Sequence, residues 1–349
     1  MDAHRKQLLV IRFSALGDVA MLAPLMRQVA LSYPDWDFTM LSRQQCAPLF
    51  NDMPSNVHFF GADLKGHHHR LWGLDSLLKE IDYHKFDAVA DMHDVLRSQY
   101  LRTRMFLAGK RCAHVFKARV QRWLLVRHNY HHKQPLVPMI ERYRAVFTEL
   151  GFYTSGPLTL NNGQTVPKTN IVQEEDTPAR HNIGIAPFAA HRGKIYPINK
   201  MKKVVKTLGE EMAARGEKVL LFGAGSKEEL ILHEWEKKYD GVECMAGKST
   251  MDQEIAIMRG LRLMVTMDSA NMHLASLVGT RVLSIWGATH PWAGFLGYGQ
   301  KESDCIQLDM ACRPCSIYGN RFCQYRDYRC LNIDEDYIIA RVKTALNEQ

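Results

Sequence analysis

No apolar run in this chain approaches the roughly 18 residues that a membrane-spanning helix needs. A first-strand G-x-G-x-x-G is also missing, which argues against a dinucleotide-dependent dehydrogenase. The amino-terminal MDAHRKQLLVIRF has basic residues, but its apolar run is shorter than a secretion signal requires and leads straight into a loop. A cytoplasmic protein is therefore the expectation. Cysteine is sparse outside one region: Cys46, Cys112 and Cys244 are scattered, as buried thiols in a reducing compartment would be. No close internal repeat is visible. Finally, from Arg97 to Lys133 there is no acidic residue at all.

What is present is ordinary in bulk and uneven in detail. The 349 residues suffice for two domains of usual size. A makeup of 46% hydrophobic and 23% charged residues is that of a globular protein. A formal charge of +8 and a pI of about 9.0 favour anionic partners. Much of that excess lies in the acid-free stretch, which holds Arg97, Arg102, Arg104, Lys110, Arg111, Lys117, Arg119, Arg122 and Arg127 with Trp123 and Tyr130 among them. A solvated face is the plain reading of such a run. Its one-sidedness points instead to phosphates on nucleic acid, lipid headgroups or a substrate. Five cysteines cluster late: Cys305, then Cys312, Cys315, Cys323 and Cys330 spaced C-x2-C-x7-C-x6-C. In a reducing compartment this suggests thiolate ligation of a structural zinc more than disulfides, although the spacing matches no standard finger. The triplet in GHHHR at 66–70 is read as a surface turn, since adjacent side chains do not all point at one centre.

The first half alternates two patterns. LLVIRF, FTMLS, VHFFG, FDAVADM, CAHVF and WLLVR read as short buried strands, and PLMRQVALSYP, HRLWGLDSLLKEID, SQYLRTRMFLAG and PMIERYRAVFTELG as helices, the last closed by Gly151. Alternation of this kind implies a mostly parallel sheet covered on both faces. It fails over the polar, proline-bearing TSGPLTLNNGQTVPKTNIVQEEDTPARHN and then resumes through NIGIAPF, KVLLFG, VECMAG, RLMVTMD and RVLSIWG, each followed by a helical or loop segment. The expected architecture is two Rossmann-like α/β domains, 1–155 and 183–333, joined by a linker at 156–182, with a closing helix at 334–349. Two such domains leave a cleft at the carboxyl ends of their strands.

Three loops carry chemistry. LLVIRFSALGDVAML runs from a strand through a Ser/Gly loop into a helix, the usual phosphate cradle, yet it holds Asp18, which would repel phosphate. In RLMVTMDSANMHLASLVG the strand ends at Asp268, and Ser269 can cap a helix beginning with Ala270 and Asn271, with His273 one turn in. Small residues there leave first-turn N–H groups open to a diphosphate. The loop AAHRGKIYP offers Arg192 and Lys194 as phosphate partners. KVLLFGAGSKEEL has a G-x-G but no third glycine, with Glu228 near its place; an acid there can hold ribose hydroxyls.

VIRFSALGDVAMLAPL, GKIYP, AGKST, DSANMHLASLVGTRVLSIWGATHP and the cysteine-rich ACRPCSIYGNRFCQYRDYRC together resemble the bacterial lipopolysaccharide heptosyltransferases, glycosyltransferase family 9. The likeness covers nearly the whole chain. It implies the two-domain GT-B fold and inverting transfer of a heptose from ADP-heptose to a lipid-linked core, with no catalytic metal or other cofactor. It further implies that Asp18 is the catalytic base with Ser14 beside it, and that Lys194 contacts the donor phosphates. Asp268, Ser269, Ala270, Asn271 and His273 then form the donor turn, with Ser269-Ala270 where Ser/Thr-Gly is commoner. Glu228 falls to the ribose and Gly247 and Lys248 near the adenine. Arg97, Arg102 and Arg104 would meet an anionic glycolipid acceptor or the inner-membrane surface; Arg142, with His131 and Lys133, resembles acceptor-side positions. Two other readings stay open here: a nucleotide-sugar epimerase or other GT-B transferase, which would share the donor cradle, and a basic nucleic-acid-binding protein. The second leaves Asp18 and both phosphate-type loops unexplained, so nucleic acid is not the expected partner.

Overall fold

The computed structural model describes residues 5–128, 130, 132–158 and 181–348. By their contacts these residues form two compact units. One holds the residues up to Lys117 and those from Met139 to 158; the other holds Ala118–Pro138 and the residues from 181 onward.

The first unit is built from β1 (Lys6–Ile11), α1 (Leu16–Ser32), β2 (Trp36–Arg43), β3 (Val57–Ala62), α2 (Leu71–Glu80), β4 (Ala88–Asp91), α3 (Leu96–Leu107) and β5 (Arg111–His114). The next helix, α4 (Arg119–Leu125), belongs to the second unit, and α5 (Met139–Glu149) returns to the first. The second unit continues with β6 (His181–Ala186), α6 (Ile198–Ala213), β7 (Val219–Leu221), α7 (Ser226–Lys238), β8 (Val242–Cys244), α8 (Met251–Arg259), β9 (Leu261–Met267), α9 (Ala270–Leu277), β10 (Arg281–Trp286), β11 (Cys305–Gln307) and α10 (Glu335–Asn347). Among the described residues no helix is long and apolar enough to cross a membrane.

Both sheets are parallel throughout, in the orders β3-β2-β1-β4-β5 and β11-β10-β9-β6-β7-β8. The sequence dictates this. Leu8, Leu9, Val10 and Ile11 are all fully buried, so β1 needs cover on both faces, and only helices on either side provide it. The same holds for Leu263, Met264 and Val265 on β9. Each unit has its own core, one around Leu9, Ile11, Leu77 and Val89, the other around Ile183, Val204, Leu263 and Ile285.

Several expectations are corrected. WLLVR is not a strand: Arg119–Leu125 is helical, because only Leu125 and Val126 of this segment are buried while Trp123 stays exposed. The boundary expected near residue 155 is more complicated, since Ala118–Pro138 groups with the second unit. Of the expected linker, 159–180 lies outside the described residues, and β6 already begins at His181. The short edge strand β11 has no counterpart in the pattern analysis. Its position depends on Arg281, whose guanidinium makes two 2.8 Å hydrogen bonds to the buried Asp304 carboxylate just before the strand.

Removing Asp304 leaves the Arg281 guanidinium with only the exposed Glu348 carboxylate and the Ala345 carbonyl as partners. Asp304→Ala is expected to cost about 3 kcal/mol of unfolding free energy, more than a double replacement of Asp304 and Arg281 by leucine. Denaturant midpoints check this; a single-variant loss smaller than that of the double variant would contradict it.

Candidate functional site

In each sheet the strand order reverses once. Strand β4 lies beside β1, and β9 beside β6, so neighbouring strands at the reversal send their following segments to opposite faces. The crevice this leaves at the carboxyl ends is where open α/β sheets bind ligands. Both charged loops singled out in the sequence leave a strand of such a pair.

In the first unit the crevice lies between the loops after β1 and β4. Asp18 is the third residue of α1, and its Oδ2 accepts from the Ala15 N–H at 3.2 Å. That is the capping role an acid in the first turn normally plays. The same oxygen lies 2.6 Å from the guanidinium of Arg12, whose side chain is only 8% exposed. Arg12 is seated over the ring of the fully buried Tyr143. From the β4 side comes His93. Its Nδ1 accepts from the Phe13 N–H at 3.4 Å, which leaves its Nε2 protonated and 3.4 Å from Ser14 Oγ. The fully buried Asp91 carboxylate orders that loop, accepting from the His93 and Asp94 N–H groups at 2.9 and 2.8 Å and from Arg102 at 2.9 Å. Asp18 and Ser14 therefore share a cluster with Arg12 and His93, two residues that sequence reasoning missed. Signals existed: Arg12 interrupts the apolar run VIRF, and His93 stands at the carboxyl end of the strand read as FDAVADM.

In the second unit the loops after β6 and β9 meet. Lys194 Nζ is 2.9 Å from Asp268 Oδ2, with both side chains largely buried. Ser269 is the N-cap residue of α9, but its Oγ turns to Thr266 Oγ1 at 3.1 Å and does not cap the helix, contrary to the sequence reading. Ala270 and Asn271 are half-buried at the helix start, and His273 is buried one turn in. The cysteine-rich segment walls this site. Gly193 donates to the Gly319 carbonyl at 3.3 Å, and Ala288 donates to the Gly193 carbonyl at 2.8 Å. A side chain at position 319 would fall 2.6 Å from Lys194 Cγ, so only glycine lets the lysine stem pass. Arg192 is exposed and stacks over Tyr328. The buried Arg313 ties the segment to the loop after β10 through the carbonyls of Gly287 and Thr289, at 2.5 and 2.9 Å.

The remaining expected residues are placed as follows. Glu228, in the first turn of α7, accepts from the Ala224 N–H at 2.9 Å. Burial raises its carboxyl above the ordinary range, the Ala224 bond lowers it and Glu229 raises it further. Gly247 takes a left-handed conformation over the Glu229 side chain, whereas Lys248 is engaged by Glu236 at 2.6 Å. The basic stretch is not one free face. Arg102 is paired with Asp91 and Asp94, Arg104 with Asp75, and Arg142 is buried with its guanidinium 3.4 Å from the Lys117 carbonyl. Arg97 is half-buried on α3; Lys133 donates to the Arg313 carbonyl at 3.0 Å, and His131 lies outside the described residues. All eight cysteines are free thiols. Among the described residues, the one group of three metal-ligand atoms within 4.8 Å of one another is His67, His68 and Glu80, so no three of the late cysteines form a ready zinc cage. Two of the three adjacent histidines, His67 and His68, converge on the Glu80 carboxylate, and the triplet lies on a surface turn.

Burial first, and then Arg12, lower the His93 imidazole to about 3, well under its ordinary 6.5. Between those values the unfolded chain binds a proton here that the folded chain does not. The stability this group contributes is therefore complete above pH 6.5 and is lost as the pH falls toward 3. His93→Gln should flatten the decline of stability with acidification over this window; an unchanged slope would show that His93 is not held neutral.

Comparison with known proteins fits this geometry. Residues 74–326 match the family model described as glycosyltransferase family 9 (heptosyltransferase). The chain is 25% identical over 301 residues to lipopolysaccharide heptosyltransferase 3 of Escherichia coli K12, covering 79% of this chain and 82% of that one. Its fold is similar to a crystal structure of a family 9 glycosyl transferase from Veillonella parvula (TM-score 0.71, 17% identity, 100% and 99% coverage). It is also similar to the ADP-heptose lps heptosyltransferase II of E. coli (TM-score 0.64, 18% identity, 98% and 99% coverage). Two parallel-sheet domains of the GT-B type and a family match over most of its length make this chain a member of glycosyltransferase family 9, the heptosyltransferases.

Proposed function

We propose that the protein is an inverting glycosyltransferase that moves a heptose from ADP-heptose to an acceptor on a lipopolysaccharide core or related surface glycan. The observation that carries this reading is the distribution of charge over the two strand-order reversals: a carboxylate with an imidazole at the first, an ammonium with an uncapped helix start at the second.

Inverting transfer is a single displacement. The acceptor oxygen bonds to the anomeric carbon as the bond from that carbon to the diphosphate breaks, and the acceptor proton must leave. Asp18 takes that proton. Arg12 and the Ala15 N–H fix the orientation of its carboxylate. Negative charge grows on the departing ADP, where Lys194 and the N–H groups opening α9 stabilise it. Asn271 and His273 line the donor turn, Glu228 holds ribose hydroxyls, and Gly247 with Lys248 borders the base. Ser14, Arg97, Arg102, Arg104 and Arg142 belong to the acceptor side, where an anionic glycolipid brings phosphates and carboxylates, and the enzyme works against the cytoplasmic face of the inner membrane. No metal takes part in the displacement.

Asp18→Asn should bind ADP-heptose as the unchanged protein does and lose turnover by at least about a hundredfold. Release of ADP from ADP-heptose, followed with and without acceptor, checks this. Near-normal turnover would remove Asp18 as the base, and conversion of the sugar without acceptor would replace transfer by epimerisation.

A further inference from the structure

One structured corner of the first unit takes no part in the chemistry above: the turn between β3 and α2. It is folded around Asp63, whose carboxylate accepts from the N–H groups of Lys65, Gly66 and His67 at 3.2, 2.9 and 3.1 Å. His68 is buried beneath it, with Nδ1 accepting from the Asp63 N–H at 3.0 Å and Nε2 3.1 Å from Glu80. This bonding decides what the histidines are for. Because Nδ1 of His68 faces a donor, the ring hydrogen sits on Nε2 and points at Glu80, so the nitrogen a metal would need is already protonated. His67 makes its own 3.1 Å contact with Glu80. The pair braces the turn to α2 and is no metal centre. Gly73 completes the brace, since a Cβ there would fall 2.4 Å from the His67 carbonyl oxygen.

What the rigid turn displays is distinctive. Beside it lies a surface pocket of about 450 Å³ bordered by Lys65, His69, Arg70, Trp72 and Ser76. Trp72 is 78% exposed and its neighbour Leu71 57%. Two large apolar side chains left in water at consecutive positions mark a surface that meets something. The acids near this surface are already engaged: Asp63 by backbone N–H groups, Glu80 by two histidines and Asp75 by Arg104 and Tyr100. Among the described residues Lys65 and Arg70 have no ion-pair partner. Arg70 also stands at the N-cap of α2, whose first turn holds no acidic residue. Cations next to an exposed indole and leucine are the combination that seats a protein at a bilayer surface. The charges meet lipid phosphates, and the indole and leucine enter the headgroup boundary.

We propose that the 63–72 segment, with Lys65, Arg70, Leu71 and Trp72 as its contacting residues, docks the first unit onto an anionic membrane surface. This rests on the membrane contact within the functional reading and locates it away from the basic stretch 97–133. The test is sedimentation of the full chain with phosphatidylcholine vesicles, with and without phosphatidylglycerol, using Trp72→Ala, Lys65→Ala/Arg70→Ala and, from the basic stretch, an Arg111→Ala control at an exposed position. The anionic vesicles should bind the unchanged protein and the Arg111 control. The double variant should bind about thirtyfold more weakly, the effect of two basic residues at such a surface. Trp72→Ala should weaken binding to both kinds of vesicle, with thermal midpoint and ADP affinity unchanged. Binding that survives in both test variants overturns this site while leaving the membrane reading intact. Absence of vesicle binding by the unchanged protein overturns both. Saturable binding of inorganic phosphate that needs Lys65 and Arg70, without any vesicle preference, overturns it in favour of a soluble anion.

Discussion

The constraint on which the rest depends is the reversal of strand order in each sheet. Segments leaving β1 and β4, or β6 and β9, must part to opposite faces, and backbone N–H groups and side chains are exposed between them as a result. Neither pocket is an addition to its fold. Asp18 follows β1 by a short loop, and Lys194 and Asp268 follow β6 and β9, so each functional side chain is placed by the first loop or turn beyond its strand. The parallel cores behind them are fully buried and hold those strand ends at fixed spacing.

At both reversals the functional charge is held in an ion pair. Lys194 rests on Asp268, and Asp18 on Arg12. A largely buried ammonium left alone would cost several kcal/mol, so the Asp268 carboxylate keeps the lysine in place; in the proposed reaction a diphosphate would supply negative charge of its own. The cysteine-rich segment reinforces this, because Gly319 lies against the Lys194 stem and Arg313 gathers the carbonyls of the neighbouring loop. In the first unit Arg12 is itself fixed by Tyr143, which places two residues in series behind the Asp18 carboxylate.

Much of this was legible in the sequence, and the parts that were not have physical reasons. Continuous apolar runs of four to six residues announced buried parallel strands, and Asp18, Lys194 and Asp268 stood at their carboxyl ends. Partners across the sheet did not show. His93 approaches Ser14 only because β4 pairs with β1, a long-range fact that no local pattern contains. WLLVR misled because an apolar run in a short helix looks like a strand until one knows which side is covered. The basic stretch shows another limit: charge in sequence says nothing of pairing, and Arg102 and Arg104 answer acids that lie outside the stretch itself. The histidine triplet is a surface turn as read, but its brace was not legible, because Glu80, which draws two of its members together, lies a full helix away.

The most direct test of the anion receptor at the second reversal is a calorimetric comparison of ADP binding to the unchanged protein and to Lys194→Met, which keeps the stem and removes the charge. Loss of one charge-assisted contact to phosphate should weaken ADP by about tenfold to a hundredfold. Equal affinity in the two proteins would contradict the assignment of Lys194 to the diphosphate.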